Sequence, residues 1–269
     1  MIYLKSESEI EKLRAAARLV SQTLAVVAKE IRPGVETGVL DRIAEEFIIK
    51  NNARPAFKGY GSKQNPFPAT LCISVNEEVV HGIPGNRTLN EGDIVSVDCG
   101  VEKEGYFGDH AFTFMVGECS DQDKKLLRVT LESLYKGIEK SIHGNKTGDI
   151  GHAIQSHCEA EDFGVVRDLV GHGIGKSMHE DPSIPNYGKP GRGERLRSGM
   201  TLAIEPMITH GTWKVKTLPD KWTIVTADGS KAAHFEHDVV VREGKAEILS
   251  TFDYIAEITK IEITETSYG

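Results

Sequence analysis

The chain has 269 residues, of which 39% are hydrophobic and 27% charged, a balance typical of a globular protein. Its net charge of −8 argues against a nucleic-acid binder, and no apolar run approaches the roughly 20 residues that cross a bilayer. The N-terminal residues lack the apolar stretch of a secretory signal and are too acidic for a transit peptide. The four cysteines are isolated from one another, so we expect reduced thiols in a cytoplasmic protein.

Two helices are predicted at the start of the chain. Ser6 and Glu9 form a capping-box pattern, and apolar residues then recur in steps of three and four. This pattern predicts one long helix, ended by the Arg-Pro-Gly sequence at 32–34. A second helix is predicted from Thr37 to about residue 50. The elements predicted next are a loop rich in glycine, proline and aromatic residues at 55–68 and strands at 71–75, 94–99 and 110–116.

The second half of the chain repeats the order of two helices followed by strands. A third helix is predicted from Ser120, and a fourth from Thr147 to about residue 161. The strands predicted after them lie at 201–205, 222–226, 234–242 and 246–251. Residues 252–269 follow the last of these elements, and we expect them to form an additional strand or a tail.

Two pairs of segments also resemble each other in sequence. Residues 33–44 match 143–154 at an offset of 110, and residues 89–98 match 196–205 at an offset of 107. The shared order and spacing indicate a duplicated half; chance similarity is the alternative, because glycines dominate the first match. We therefore expect a single domain over residues 1–269, with pseudo-repeats at about 6–118 and 119–251 related by a pseudo-twofold axis.

A pair of acids, Asp98 and Asp109, lies in a predicted hairpin. A turn near residues 103–104 predicts that the two acids lie directly opposite each other, where like charges repel. Strand alternation places each acid among small residues, with bulky apolar residues on the other face, which indicates the floor of a pocket. The sequence repeat places Glu205 at a strand end equivalent to that of Asp98, so the two acids would meet near the pseudo-twofold axis.

Further candidates lie beside other apolar segments. Glu236 precedes a run of valines, His172 and His179 lie in a glycine-rich loop, and His81 follows another valine pair. Four carboxylates cannot all ionise in a dry pocket without cations, whereas bound divalent metal ions resolve the repulsion. One imidazole and four carboxylates suit Mn²⁺, Fe²⁺, Co²⁺ or Zn²⁺, and two ions that share bridging carboxylates would use all five side chains for hydrolysis. A structural calcium site is an alternative that the histidines disfavour.

At these residues the chain closely resembles the type I methionine aminopeptidases, over about residues 5–250. The motifs that carry the resemblance are LCISVNEEVVHGIP, VSVDCGVEKEGYFGD, GHGIGKSMHEDP, TLAIEPM and FEHDVVV. The resemblance implies the α/β pita-bread fold, a curved antiparallel sheet backed by helices with pseudo-twofold symmetry. It also implies two divalent metal ions (Co, Mn, Fe or Zn), with Asp109 and Glu236 bridging them and the remaining ligands supplied by Asp98, His172 and Glu205.

The same resemblance implies hydrolytic removal of N-terminal methionine ahead of a small second residue. His179 would stabilise the oxyanion, His81 would contact the scissile amide or the leaving amine, and Glu205 would shuttle the proton of the water. The free amine of the substrate would bind one metal, which restricts cleavage to the first residue. The implied methionine pocket is lined by Phe57, Tyr60, Phe67, Cys72, Met178 and Trp222.

The implied substrates are the N-termini of nascent polypeptides near the ribosome, and the implied state is a monomer without nucleic-acid or membrane partners. No extension with Cys/His spacing precedes the catalytic region, so the short bacterial or organellar subtype is expected. The nearest rival is an Xaa-Pro aminopeptidase, but such enzymes usually carry a separate N-terminal domain. A non-catalytic binding protein of the same fold is the other alternative, and the loss of metal ligands would be its signature.

Overall fold

Five helices and seventeen strands make up residues 2–259, which the computed structural model describes. The helices are α1 (Glu7–Ala28), α2 (Thr37–Lys50), α3 (Asp121–Glu139), α4 (Thr147–Ala160) and α5 (Asp253–Thr259). The strands are β1 (Arg54–Pro55), β2 (Gly61–Ser62), β3 (Asn65–Pro66), β4 (Leu71–Val75), β5 (Glu78–Val80), β6 (Ile94–Lys103), β7 (Tyr106–Met115), β8 (Gly164–Val165), β9 (Val170–Gly173), β10 (Glu180–Pro185), β11 (Thr201–Ile204), β12 (Met207–Thr209), β13 (Val215–Thr217), β14 (Ile224–Thr226), β15 (Ala232–His234), β16 (His237–Val240) and β17 (Glu247–Ile248).

The first four helices begin where the sequence predicts. At the start of α1 the Glu9 carboxylate accepts the backbone N–H of Ser6 at 3.0 Å, as the capping-box pattern requires. The predicted end of this helix is several residues too late, because regular α-helix stops at Ala28. The backbone N–H of Glu30 bonds to the carbonyl of Val27 at 2.9 Å, so the last turn tightens before the proline is reached.

Strand β6 is the centre of the first sheet. It pairs with β7 along its whole length, while β4 and β1 pair in turn with its other edge. The predicted register of the hairpin is wrong by two residues, since Asp98 lies opposite Ala111 and Asp109 lies opposite Gly100. The reason is a two-residue turn at positions 104 and 105, where both φ angles are positive (53° and 78°). The two acids share a face as diagonal neighbours.

The second half of the chain builds a five-stranded sheet in the order β10, β9, β11, β16 and β17. It joins the first sheet along β7, where the N–H of Glu236 bonds to the carbonyl of Ala111 at 3.0 Å. The Thr113 hydroxyl bonds to the carbonyl of His234 at 2.7 Å on the same seam. The predicted strand at 234–242 is therefore divided, because residues 235 and 236 leave the ladder between β15 and β16 and meet β7.

The two halves share local hydrogen bonds at the spacing of the sequence matches. A bridge joins Glu36 to Thr88 in the first half, and another joins Lys146 to Arg195 in the second. Beside these bridges, matching N–H to carbonyl bonds run from Gly34 to Leu89 at 2.8 Å and from Gly144 to Leu196 at 3.0 Å. These contacts support an internal duplication, whose boundaries stay a prediction.

The end of the described chain is helical. The expectation of an additional strand is wrong for residues 253–259, which form α5 and pack against α1. Ile255 is fully buried there, and the Thr251 hydroxyl accepts the N–H of Asp253 at 3.1 Å, which favours a helix start over an extended edge. The rest of the predicted tail, residues 260–269, lies outside the described residues.

Two expectations from composition can be compared with the structure. All four cysteines are buried and free, as predicted for reduced thiols. Within residues 2–259, no helix combines the length and the apolar character that a membrane crossing needs.

The contact between α1 and β7 makes a test of the packing. A Cβ at Gly108 would lie 2.5 Å from the backbone nitrogen of Ala17, which cannot move aside easily. We expect Gly108→Ala to lower the free energy of unfolding by about 1–3 kcal/mol, measured by thermal or urea denaturation. Gly85→Ala is the matched control, because a Cβ there meets no heavy atom within 4 Å. Equal effects of the two substitutions would contradict this account of the packing.

Candidate active site

A cavity opens where the two halves meet. The structure brings nearly every predicted site residue to its walls: Phe57, Tyr60, Phe67, Cys72, His81, Asp98, Asp109, His172, His179, Glu205, Trp222 and Glu236. Met178 is the exception, and it packs in the apolar cluster that contains Phe57 and Cys72. Residues that are up to 179 positions apart in the sequence therefore share one site.

The polar side of the cavity takes its side chains from both halves. Asp98 and Asp109 come from β6 and β7 of the first half, and they lie inside these strands and not at strand ends as predicted. Strand β9 carries His172, Glu205 follows β11 directly, and Glu236 lies between β15 and β16. Neither half has the complete set, so the site exists only where the halves are joined.

The distances among these groups fit a shared cation better than direct bonds. His172 Nε2 lies 3.6 Å from Glu205 Oε1 and 3.8 Å from Asp109 Oδ2, which is too long for hydrogen bonds. One ligand atom from each of Asp109, His172 and Glu236 can be chosen so that all lie within 4.8 Å of one another. Ligands about 2.0–2.2 Å from a common ion are at most about 4.4 Å apart, so the three atoms are close to the spacing of a metal site.

Unpaired oxygens at the same place also point to cations. Asp98 Oδ1, Asp109 Oδ1 and Glu236 Oε1 are buried and have no hydrogen-bond partner among residues 2–259. Buried polar atoms of folded proteins are nearly always hydrogen bonded. Three unpaired carboxylate oxygens at one place therefore indicate a bound cation or another ligand. Carboxylate oxygens with one imidazole form a donor set that suits borderline divalent metal ions. The residues present therefore fit a divalent metal.

The electrostatics of the protein alone are unfavourable to this cluster. Burial raises the pKa of Asp98 from its ordinary 3.8 to about 7. Burial, followed by the charges of the neighbouring carboxylates, also raises the pKa values of Asp109, Glu205 and Glu236. A bound divalent cation would reverse these shifts, because it stabilises the ionised carboxylates.

His172 is oriented for ligation by its neighbour in the chain. Its Nδ1–H donates to the backbone carbonyl of Gly173 at 2.9 Å, which leaves Nε2 as the acceptor on the carboxylate side. Burial lowers the pKa of His172 to about 3, so the imidazole is neutral at physiological pH. A neutral imidazole with a free Nε2 is the form that binds metal ions.

The other two predicted histidines flank the carboxylates. His81 has a left-handed backbone conformation with φ of 58°, which costs energy for a residue with a side chain and is typical of functional positions. Its ring lies edge-on to Trp222, with 6.4 Å between the ring centroids. The ring of His179 lies 4.1 Å from that of His172, and its Nδ1 is hydrogen bonded to the Tyr60 hydroxyl at 2.7 Å.

An apolar pocket adjoins the polar cluster. Its cluster of buried side chains consists of Phe57, Phe67, Ala69, Cys72 and Met178, with Trp222 packed against it. Phe67 and Trp222 meet edge to face at a centroid distance of 5.3 Å. Cys72 pairs with Asp98 across β4 and β6, so the apolar wall begins one strand away from the carboxylates. The site can therefore hold an apolar side chain beside a cluster of carboxylates and imidazoles.

Three buried residues beside the site were not predicted from the sequence. Asp238 Oδ2 accepts the backbone N–H of Asp109 at 2.8 Å and so holds that strand in place. His234 Nε2 lies 3.6 Å from Glu205 Oε2, and Asn186 donates to the Glu205 backbone carbonyl at 2.9 Å. The alternation of His234, Glu236 and Asp238 along the chain was a signal that all three face the seam. Asn186 had no such signal.

A family model described as metallopeptidase family M24 matches residues 11–243. Together with a buried set of carboxylates and an imidazole that fits divalent metal ions, this match defines the protein as a metallopeptidase.

Close relatives define the protein more narrowly. It is 55% identical to the methionine aminopeptidase of Clostridium acetobutylicum, over 93% of this chain and 99% of that protein. Methionine aminopeptidase 1 of Bacillus subtilis is 52% identical over 93% of this chain and 99% of its own length. The crystal structure of methionine aminopeptidase from Thermotoga maritima superimposes with a TM-score of 0.90 at 48% identity, covering 93% of this chain and all of that one. The chain belongs to the type I methionine aminopeptidases of family M24 and is a metal-dependent aminopeptidase, as its motifs indicated.

More distant structures share the fold alone. The X-Pro aminopeptidase of Thermotoga maritima superimposes with a TM-score of 0.73 at 22% identity, and this chain covers 62% of it. The pita-bread fold expected from the sequence is therefore confirmed.

The raised pKa values of the site acids predict how metal-free protein responds to pH. A buried acid with a raised pKa binds more protons folded than unfolded, so the free energy of unfolding falls as pH rises. Buried histidines with lowered pKa values have the opposite effect, but only below their ordinary pKa of 6.5. Between about pH 6.5 and 8.5 we therefore expect chelated protein to lose thermal stability with rising pH, and an added divalent ion to suppress this loss.

The matched variant for this measurement is Asp109→Asn, which removes one titrating carboxyl from the cluster. Its chelated form is expected to show a shallower decline in melting temperature over the same pH range. A flat profile of the chelated wild-type protein would contradict the prediction.

Proposed function

We propose that this protein removes the N-terminal methionine from nascent polypeptides and peptides whose second residue is small, and that it uses two divalent metal ions. The observation that carries the proposal is the convergence of three buried carboxylates, the largely buried Glu205 and one imidazole in the same cavity as a set of apolar side chains. The polar cluster supplies the hydrolytic centre, and the apolar pocket supplies room for a thioether side chain. The relatives that carry the name methionine aminopeptidase support the same substrate.

The metal ligands of the proposal are Asp98, Asp109, His172, Glu205 and Glu236. Five side chains are more than one catalytic ion with an open position can use, whereas two ions with Asp109 and Glu236 as bridges would use them all. Such ions (Co, Mn, Fe or Zn), when bound, supply a nucleophile from water at neutral pH and polarise the scissile carbonyl. The partnerless oxygens of Asp98, Asp109 and Glu236 support this assignment.

The remaining steps belong to side chains around the cluster. His179 donates a hydrogen bond to the oxygen that becomes negative in the transition state. His81 contacts the scissile amide nitrogen or helps to protonate the leaving amine. Glu205 moves the proton of the attacking water, since its carboxylate belongs to the metal cluster and also lines the cavity.

The substrate is held at its first residue. The methionine side chain enters the pocket of aromatic residues, cysteine and Met178, while the free α-amine lies at the carboxylate cluster, where a bound metal ion would be available to ligate it. A peptide whose amine is blocked would lose this contact, so cleavage is confined to the terminal residue. The enzyme acts in this proposal as a cytoplasmic monomer, near the ribosome where nascent N-termini emerge.

Substrate choice separates this proposal from an Xaa-Pro peptidase. We expect cleavage of Met-Ala-Ser and little or no cleavage of Ala-Pro-Phe when both are assayed by release of the first amino acid. N-acetylated Met-Ala-Ser is the control for the amine contact and is expected to stay intact. Preference for Ala-Pro-Phe would refute the proposed specificity.

Metal stoichiometry tests the bridging role of Asp109. We expect chelated protein to be inactive on Met-Ala-Ser and to recover activity as divalent ions are added back. The Asp109→Asn variant is expected to bind one metal equivalent less by calorimetry and to have no measurable activity, because an amide cannot bridge two cations as a carboxylate does. Full activity of this variant would falsify the dinuclear assignment.

Truncation of His179 tests its role in the transition state. We expect His179→Ala to keep both metal equivalents while kcat falls by roughly 10²–10³, the usual effect of removing one oxyanion donor. Metal content by elemental analysis and kcat on Met-Ala-Ser are the two measurements. Loss of metal without an effect on kcat in metal-saturated protein would assign His179 to the metal site instead.

A further inference from the structure

Tyr60 lines the apolar pocket, and its hydroxyl also makes a hydrogen bond with His179. Its hydroxyl lies 2.7 Å from Nδ1 of His179, and the two rings are tilted by 41° with 5.2 Å between centroids. The two residues come from loops 119 positions apart. A hydrogen bond of this length between a phenol and an imidazole orients the imidazole ring.

The backbone holds the Tyr60 hydroxyl in this place. The N–H of Tyr60 donates to the carbonyl of Phe57 at 2.9 Å, and its carbonyl accepts the N–H of Phe67 at 2.8 Å. Both bonds tie the residue to the walls of the apolar pocket. Although 41% of Tyr60 is exposed to solvent, its position relative to His179 is therefore determined by the pocket.

Either partner could donate at this distance, but an imidazole nitrogen is a better acceptor than a phenol oxygen, which favours a hydroxyl that donates to Nδ1. Among residues 2–259, His179 Nδ1 is the protein atom that hydrogen bonds with this hydroxyl. The His179 ring packs against a second imidazole, that of His172, with 4.1 Å between the centroids, and a neutral ring avoids repulsion between two imidazolium charges. A neutral imidazole has one N–H and one acceptor nitrogen, so the hydroxyl that donates to Nδ1 places the ring proton on Nε2.

We propose that Tyr60 is a positioning residue whose hydroxyl donates to Nδ1 of His179 and holds that histidine in the Nε2–H tautomer. In this tautomer Nε2 is a hydrogen-bond donor toward the reacting carbonyl oxygen, and the other tautomer would present a lone pair that repels the developing negative charge. The inference rests on the proposed function for the identity of that oxygen. The tautomer itself is a property of the protein and can be measured without substrate.

The first experiment reads the tautomer directly. Zinc-loaded full-length protein with ¹⁵N-labelled histidine is compared with the Tyr60→Phe variant in long-range ¹H–¹⁵N spectra of the imidazoles, and His179→Ala identifies the signals. We expect the Nε2–H tautomer of His179 in the wild-type protein and a mixture of tautomers in Tyr60→Phe. An Nδ1–H tautomer in the wild-type protein, or an unchanged tautomer in the variant, would overturn the proposal.

The second experiment is a double-mutant cycle with Met-Ala-Ser as substrate. Loss of one positioning hydrogen bond predicts that Tyr60→Phe lowers kcat about tenfold while KM changes less than twofold. In the His179→Ala background the same substitution is expected to have no further effect on kcat. Equal effects in both backgrounds would overturn the proposal, because Tyr60 would then act independently of His179. Tyr187→Phe, a half-exposed tyrosine outside the site, is the matched control and is expected to leave kcat unchanged.

The two experiments separate this inference from the proposed function. A wild-type protein that shows the expected tautomers but does not cleave Met-Ala-Ser refutes the substrate and leaves the Tyr60 contact supported. A wild-type protein that cleaves Met-Ala-Ser and keeps its tautomer in Tyr60→Phe refutes the Tyr60 contact alone.

Discussion

Mutual repulsion among buried carboxylates is the constraint on which the rest of this structure depends. Asp98, Asp109, Glu205 and Glu236 lie at one seam, with His172 between them, and burial raises the pKa of each acid. Within residues 2–259, one oxygen of each of Asp98, Asp109 and Glu236 has no hydrogen-bond partner. The arrangement is unfavourable for the protein alone, and a bound divalent ion would stabilise it.

The seam keeps these acids together through contacts that involve no metal. Backbone and hydroxyl hydrogen bonds join β7 to residues 234–238, and the Asp238 carboxylate holds the backbone of Asp109. Strands of both halves meet at this seam. Helices α1 and α2 pack against the strands of the first half, and α3 and α4 pack against those of the second half. The carboxylate cluster thus lies on strands or directly beside them, while the apolar pocket is built mainly from loops at its edge.

The three histidines of the site are oriented by different neighbouring groups. His172 is oriented by the carbonyl of Gly173, and His179 is in contact with the Tyr60 hydroxyl. His81 is placed by a left-handed backbone conformation and by the edge of Trp222. Three imidazoles with the same intrinsic chemistry are therefore suited to different tasks, because the second ring nitrogen or the backbone of each has a different partner.

The sequence by itself determined the helix starts, the class of site and the identity of its ligand candidates, since capping residues, strand alternation and acids beside apolar runs act locally. Only the tertiary structure decided the hairpin register, which changes by two residues when the turn moves by one position, and the division of the strand at 234–242, which depends on β7. It also revealed α5, Asp238, His234 and the contact between Tyr60 and His179. These features depend on distances between segments that are remote in sequence, and such distances leave no periodic pattern in the chain.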